Sequence, residues 1–305
     1  MVSTGMEAHV KRISRQDKIA TVVLTAIVGF VIAMLAAIVL YILVSGAGKL
    51  FDISFLTGKP QQFKAGGGIG PELFNSFYLL FLTLLISVPI SLGAAIFLSQ
   101  YAPDNWMTAA AKTAIETLSS LPSIVVGLFG FLFFVLYMGW GFSIIAGAVA
   151  LTMFNIPILV RVIQQALEDV PRSQRDAALA MGLTRWEATI HVLLPAAMPA
   201  IVTGVVLSAG RVFGEAAALI FTAGQSAPVL DFMCFDFSSP SCPWNVFRPA
   251  ETLAVHIWKI NSEGVVPDLE AVSNGTAAVL MVCILGFNVI ARFVGKALEK
   301  RLTSE

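Results

Sequence analysis

Six long apolar runs alternate with polar segments along this chain, at about residues 19–45, 74–100, 116–138, 143–165, 195–221 and 273–294. Each reaches the roughly 20 residues that a helix needs to cross a hydrocarbon core. The pattern therefore predicts an all-α integral membrane protein with six spans. The first run is longer than a secretory h-region of roughly 7–15 residues and reads as an uncleaved anchor. The chain divides into an N-terminal segment (1–18), a first span with a glycine-bearing linker (19–73), a core (74–295) and a basic tail (296–305). Pro89, Pro122 and Pro157 interrupt predicted spans, which lipid tolerates as kinks or hinges when neighbours satisfy the freed carbonyls.

The polar segment 171–195 carries two sets of helix signals. Ser173 followed by Asp176 predicts a capping box that starts one helix, and Gly182 suits the left-handed residue that ends it. Thr184 and Glu187 then repeat the capping signature for a second helix. A plain connection needs no such double capping. Two readings are open: a docking surface at the mouth of a span, or an ordinary surface hairpin.

Composition agrees with lipid as the solvent. Hydrophobic residues make up 57% of the chain and charged residues 12%, against about 25% charged in soluble domains, and the mean hydropathy is +0.84. A net charge of zero removes any argument for a nucleic-acid partner. Basic residues near span ends set the orientation. With the N-terminus inside, the cytoplasmic segments hold thirteen Lys and Arg residues, the opposite side five, and Arg211 lies within a span. Both termini and the 171–195 segment are thus expected in the cytoplasm. Tyr101, Trp106, Tyr137 and Trp140 fall where interfacial aromatic belts belong.

Charges inside spans are rare because an arginine near the bilayer centre costs at least about 2.5–3.5 kcal/mol. Arg211 and Glu215 are four residues apart, so a continuous helix would put them on one face. They read either as a self-contained ion pair or as an arginine that meets substrate, with Glu215 holding it. Arg161, near the inner end of the fourth run, either snorkels to the headgroups or faces a path through the protein.

Several segments resemble a known family. Asp176-Ala177-Ala178, Gly182, Val192 and Leu194-Pro195 resemble the EAA loop of ABC-importer permeases, with Asp for Glu and Val for Ile as departures. Gly210-Arg211-x-x-Gly214-Glu215 and the Leu219-Ile-Phe-Thr-Ala223 tail are similar to the PstA-type permeases of phosphate-specific importers. So are Leu121-Pro-Ser-Ile-Val-Val-Gly127 and the Gly66–Pro71 run. Ala217-Ala218 departs from the family's Ala-Pro, which puts a local kink in doubt.

The resemblance covers about residues 65–295 and implies a six-span type I ABC-importer permease fold in a bacterial plasma membrane. It implies that Ser173, Asp176, Ala177, Ala178, Gly182, Thr184 and Glu187 dock on an ATPase subunit. It further implies that Arg161 and Arg211, the latter with Glu215, line a phosphate path. The expected partners are a PstC-type permease, an ATPase dimer, an external phosphate-binding protein, inorganic phosphate and membrane lipid. ATP and Mg would be held by the ATPase, with no cofactor on this chain. A planar guanidinium suits a phosphate oxyanion, whereas a neutral solute would need no intramembrane arginine.

Other signals are weaker. Ser45-Gly-Ala-Gly-Lys49 fails as a P-loop, since it lacks the first glycine, the following Ser or Thr and a preceding strand. There is no HExxH pair, GxSxG elbow or cluster of metal ligands, and His9, His191 and His256 are far apart and read as solvated or interfacial. No enzyme and no metal site is expected. Cys234 and Cys242, in an external loop at 222–272, permit a disulfide or stand as two thiols. The Leu253–Trp258 stretch of that loop suits contact with an external binding protein or with the membrane surface.

Overall fold

The structure is a computed structural model, and it describes residues 2–61, 64–263 and 267–303. Every regular element among these is helical. In chain order they are α1 (Val2–Leu50), α2 (Ile53–Thr57), α3 (Gly70–Ile96), α4 (Trp106–Ser119), α5 (Ser123–Gly130) and α6 (Ile144–Glu168). Then follow α7 (Arg172–Ala180), α8 (Arg185–Ala188), α9 (Leu194–Phe213), α10 (Ala217–Thr222), α11 (Leu253–Glu263) and α12 (Leu269–Thr303). Short π-helical segments extend α3 to Tyr101 and α5 to Tyr137, and a third, Thr189–Leu193, joins α8 to α9.

Five helical runs are long and apolar enough to cross a membrane: Gln16–Leu50, Gly70–Tyr101, Ile144–Glu168, Arg185–Phe213 and Leu269–Ala297. The sixth expected span, 116–138, is different. Its residues belong to two helices, Trp106–Ser119 and Ser123–Tyr137, bent by 96° at the break. The cause is local. Ser119 and Ser120 donate their hydroxyls to the carbonyls of Glu116 and Thr117, each at 2.7 Å, and so compete with the helical bonds. Pro122 then lacks an N–H and disfavours helical geometry in Leu121 before it. Pro89 and Pro157, by contrast, lie inside unbroken helices. In lipid, a bent helix leaves fewer backbone groups unpaired than a broken one.

The fifth expected span, 195–221, is also divided. α9 stops at Phe213, Gly214 caps it, and α10 begins only at Ala217. The break forms without the proline that the family resemblance led us to look for. α10 instead packs against α5, where a Cβ at Gly127 would lie 2.7 Å from the Ala218 Cα. Only glycine permits that approach.

Side-chain pairings set the helix directions. α3 and α6 run parallel, with Thr152 Oγ1 donating to the Thr83 carbonyl at 3.4 Å and Asn155 Nδ2 to Ser87 Oγ at 3.1 Å. α9 runs antiparallel to α6, with Gly204 against Val162 and Ser208 donating to Asn155. α12 runs antiparallel to α9, placing Gly214 beside Ile284 and Gly295 beside Thr203. α1 touches α12 near its C-terminal end, where Gly46 seats against Asn274 and Ala278. The Ser45–Lys49 segment is thus helix packing. Most of α1 exposes apolar side chains, Phe30 and Leu40 among them, as a lipid-facing helix should.

Three apolar clusters result, the smallest joining Phe134 and Val135 to Ala146 and Ala150; the other two form the main cores. One, with Leu79, Leu151, Phe213, Leu219 and Leu253, lies toward the end occupied by the long 223–252 loop. The other, with Ile96, Leu159, Ile163, Leu193 and Ile201, lies toward the α7–α8 hairpin. Between them sits the polar layer of Ser87, Asn155 and Ser208, which ties α3, α6 and α9 together. The hairpin and the loop lie at opposite ends of α6, a helix of 25 residues, so they are about 37 Å apart along it.

Candidate functional site

The α7–α8 hairpin is built largely as its sequence predicts. Gly182 has φ +90°, and a Schellman closure surrounds it. Leu183 N–H donates to the Ala178 carbonyl at 3.2 Å, and Gly182 N–H to that of Leu179 at 3.0 Å. Thr184 and Glu187 form a complete capping box. The box expected at Ser173 is absent. α7 begins two residues earlier, at Arg172, with Pro171 as its cap and no side-chain hydrogen bond there. Pro171 in extended geometry already directs the chain into the helix, so Ser173 and Asp176 are left as exposed polar residues of α7.

Docking chemistry differs from the expectation in one further respect. Ala178 is buried within the chain itself, while Ala177 is exposed. The apolar groups that the hairpin offers outward are Leu179, Met181 (77% exposed) and Trp186 (58% exposed). Sequence reasoning favoured the small residues and passed over these three. A large aromatic beside a flexible thioether on an exposed tip has the composition of a contact site.

From Arg185 to Phe213 the helical run is unbroken. Thr189–Leu193 takes a π turn, and Pro195 follows two residues after it, where the widened turn makes room for a ring that lacks an N–H. The hairpin and Arg211 therefore stand on one rod.

Arg211 lies in the last turn of α9, where its charge complements the helix C-terminus. Its guanidinium carbon sits 4.5 Å from the centre of the Phe154 ring, a cation–π contact. The expected partnership with Glu215 does not form. Because α9 ends at Phe213, the two residues share no helix face. Glu215 Oε1 instead accepts the Ala218 N–H at 3.4 Å, at the start of α10. Ion pairs among the described residues are Lys49–Asp52, Glu251–His256 and Glu251–Lys259, and none involves Arg161 or Arg211.

Arg161 is exposed on α6, seven residues beyond Phe154. Seven residues are two turns, so Arg161 follows the Phe154–Arg211 contact along one stripe, about 10 Å further. Both arginines are exposed, on the same side of the α6–α9 pair. Arranged so, they offer two planar donors in series to a multi-oxygen anion.

The opposite end carries ionisable groups that sequence spacing did not bring together. Arg248 is 1% exposed and is held by neutral acceptors. Its Nη2 donates to Asn75 Oδ1 at 2.7 Å and the Pro243 carbonyl at 3.1 Å, and its Nε to the Cys242 carbonyl at 3.2 Å. Burial pulls this guanidinium down to about 10, which leaves it charged at neutral pH. His256, expected to be solvated or interfacial, is buried, with Nδ1 2.7 Å from Glu251 Oε1. α11 buries Leu253, Val255 and Ile260 in the core, so most of that stretch is not free to contact a partner. Cys234 and Cys242 are both free thiols, and Cys242 Sγ points at the Cys234 carbonyl from 3.3 Å.

Residues 87–304 match the family described as binding-protein-dependent transport system inner membrane component. A Bacillus subtilis protein named probable ABC transporter permease protein YqgI is 49% identical over 288 residues, 94% of this chain and 98% of that one. The phosphate transport system permease protein PstA of Yersinia pestis is 30% identical over 301 residues, 96% and 95% of the two chains. In fold, the chain is similar to a permease of the bacterial alginate ABC transporter, with TM-score 0.63 at 14% identity, covering 94% and 97% of the chains. The apolar spans, the hairpin between two of them and this full-length similarity lead to one conclusion: the chain belongs to the binding-protein-dependent inner-membrane permeases of ABC importers.

Proposed function

We propose that this chain is the PstA-type half of an ATP-driven phosphate importer. Its working partners would be a PstC-type permease, a cytoplasmic ATPase dimer and an external phosphate-binding protein. The observation that carries the reading is the Arg161–Arg211 stripe. Two arginines without carboxylate partners among the described residues are costly in lipid, and an anion passing along an interface with a second permease would offset that cost. The similarity to a phosphate permease over nearly the whole chain supports the same substrate.

Closure of the ATPase dimer would move the α7–α8 hairpin through Leu179, Met181 and Trp186. The unbroken Arg185–Phe213 run would carry that movement to Arg211, switching the arginines between the two sides of the membrane. Both termini and the hairpin would then face the cytoplasm. The chain itself would carry out no covalent chemistry, since the ATPase would hold ATP and Mg.

Uptake of labelled phosphate tests the reading. Arg211→Gln keeps hydrogen-bonding capacity but removes the charge. A charge-assisted bond is worth about 1.5–3 kcal/mol, so uptake should fall about tenfold to a hundredfold while insertion and assembly persist. Exchanging Arg211 and Glu215 should restore nothing, because they form no pair. Near-normal uptake in either variant would rule out the anion path. Wild-type uptake of labelled sulfate, lost in Arg211→Gln, with no uptake of labelled phosphate would move the substrate to another oxyanion.

A further inference from the structure

Three segments distant in sequence meet at the loop end of the bundle. Glu72 lies in the first turn of α3. One turn on, Asn75 Nδ2 donates to the Glu251 carbonyl at 3.0 Å, and Ser76 Oγ accepts the Leu253 N–H at 2.9 Å. Residues 72, 75 and 76 share a helix face, so the strap that enters α11 is pinned directly over Glu72. One donor atom each from Glu72, Glu251 and His256 lies within 4.8 Å of the others. Their exposures are 0%, 2% and 6%.

The charges in this pocket do not balance. Lys259 Nζ lies 3.0 Å from Glu251 Oε2 and also donates to the Gln225 carbonyl at 2.8 Å, so it neutralises Glu251. Glu72 has no such partner. Neither of its carboxylate oxygens, nor Nε2 of His256, has a hydrogen-bond partner among the described residues. A buried carboxylate without a partner is among the most costly groups a protein can hold. A bound cation, or a proton on Glu72 itself, would offset that cost.

The donor set indicates which cation. Nδ1 of His256 lies 2.7 Å from Glu251 Oε1; when the neutral imidazole donates its Nδ1–H to that carboxylate, Nε2 keeps a free lone pair. A carboxylate behind an imidazole is the usual support for a metal-bound histidine. An imidazole and a carboxylate as ligands suit zinc-like divalent ions, whereas magnesium and calcium take mainly oxygen. Two ligands on a tetrahedral ion at about 2.0–2.1 Å stand about 3.4 Å apart, a spacing that Glu72 and Nε2 of His256 would reach by side-chain rotation.

We propose that Glu72 and Nε2 of His256, with Glu251 orienting the imidazole, bind one divalent transition-metal ion. That ion clamps the α11 strap to the outer end of α3. Cobalt(II), a spectroscopic stand-in for zinc, tests this on the full chain purified in detergent with the subunits that accompany it. The expected result is one additional metal per chain relative to Glu72→Gln. Its visible ligand-field bands should lack the sulfur-to-metal absorption that Cys234 or Cys242 would produce. Glu251→Gln should weaken binding about 10- to 100-fold without abolishing it. Metal content equal in wild type and Glu72→Gln overturns the site. Should Glu72→Gln fail to fold, the wild-type chain decides alone. A melting temperature raised by zinc and lowered by chelator supports the clamp, and one indifferent to both overturns it.

Discussion

Gly182 is the residue on which the hairpin turns. Its φ of +90° costs a side-chain-bearing residue about 1–2 kcal/mol, and a β-branched side chain meets it with most difficulty. Gly182→Val should therefore disturb the Schellman closure and misplace Met181 and Trp186 without affecting the spans. The expected outcome is normal membrane insertion with reduced co-purification of the ATPase and reduced uptake. Full retention of both would show that the hairpin is not the docking surface. Arg211 is a contrasting case. Its identity stood out in sequence as a charge in an apolar run, yet its contact with Phe154 and the separation from Glu215 depended on where α9 stops.

Helix ends, more than helix existence, distinguish the observed elements from the expected ones. Two serines and a proline break the third run at 119–122, and Gly214 with Glu215 divides the fifth. In the 223–252 loop, turns and buried polar contacts replace helix. There Cys242 is fully buried while Cys234 is partly exposed. In the folded chain, a maleimide should modify Cys234 and spare Cys242 until denaturation, as read by peptide mass mapping. Protection of both thiols that reductant alone removes would show that the two are bonded.

The molecule connects its two ends through a single rod. Arg185–Phe213 is helical throughout, with the capping box at one end and Arg211 at the other. A helix turns about 100° per residue, so inserting one alanine after Leu193 would rotate the hairpin against the arginine stripe. We expect ATPase subunits still to associate while phosphate uptake falls to background, measured on the same membranes. Uptake unaffected by the insertion would show that coupling takes another route. The exposed apolar length of α1 and the exposed Arg161–Arg211 stripe are different surfaces for the same reason. The first faces lipid, which needs no complement, and the second carries charge, which does.

Apolar runs, prolines, capping signatures and the glycine at position 182 act through near neighbours in the chain. They were accordingly legible in sequence: the membrane setting, the hairpin and both arginines follow from them. The glycine run at 66–71 was legible as a linker, but its packing against the 55–59 backbone was not. The Ser173 box failed because Pro171 had already set the helix start. What depended on tertiary structure was every partnership across long separations. Glu72 meets His256 across a separation of 184 positions, Asn75 meets Arg248, and Phe154 lies under Arg211. No local periodicity records such pairings, because they arise only when α3, α6, α9 and α11 pack and exclude water. Exclusion of water also gives them their energetic weight, since a charge that is harmless in solvent must find a partner once it is buried.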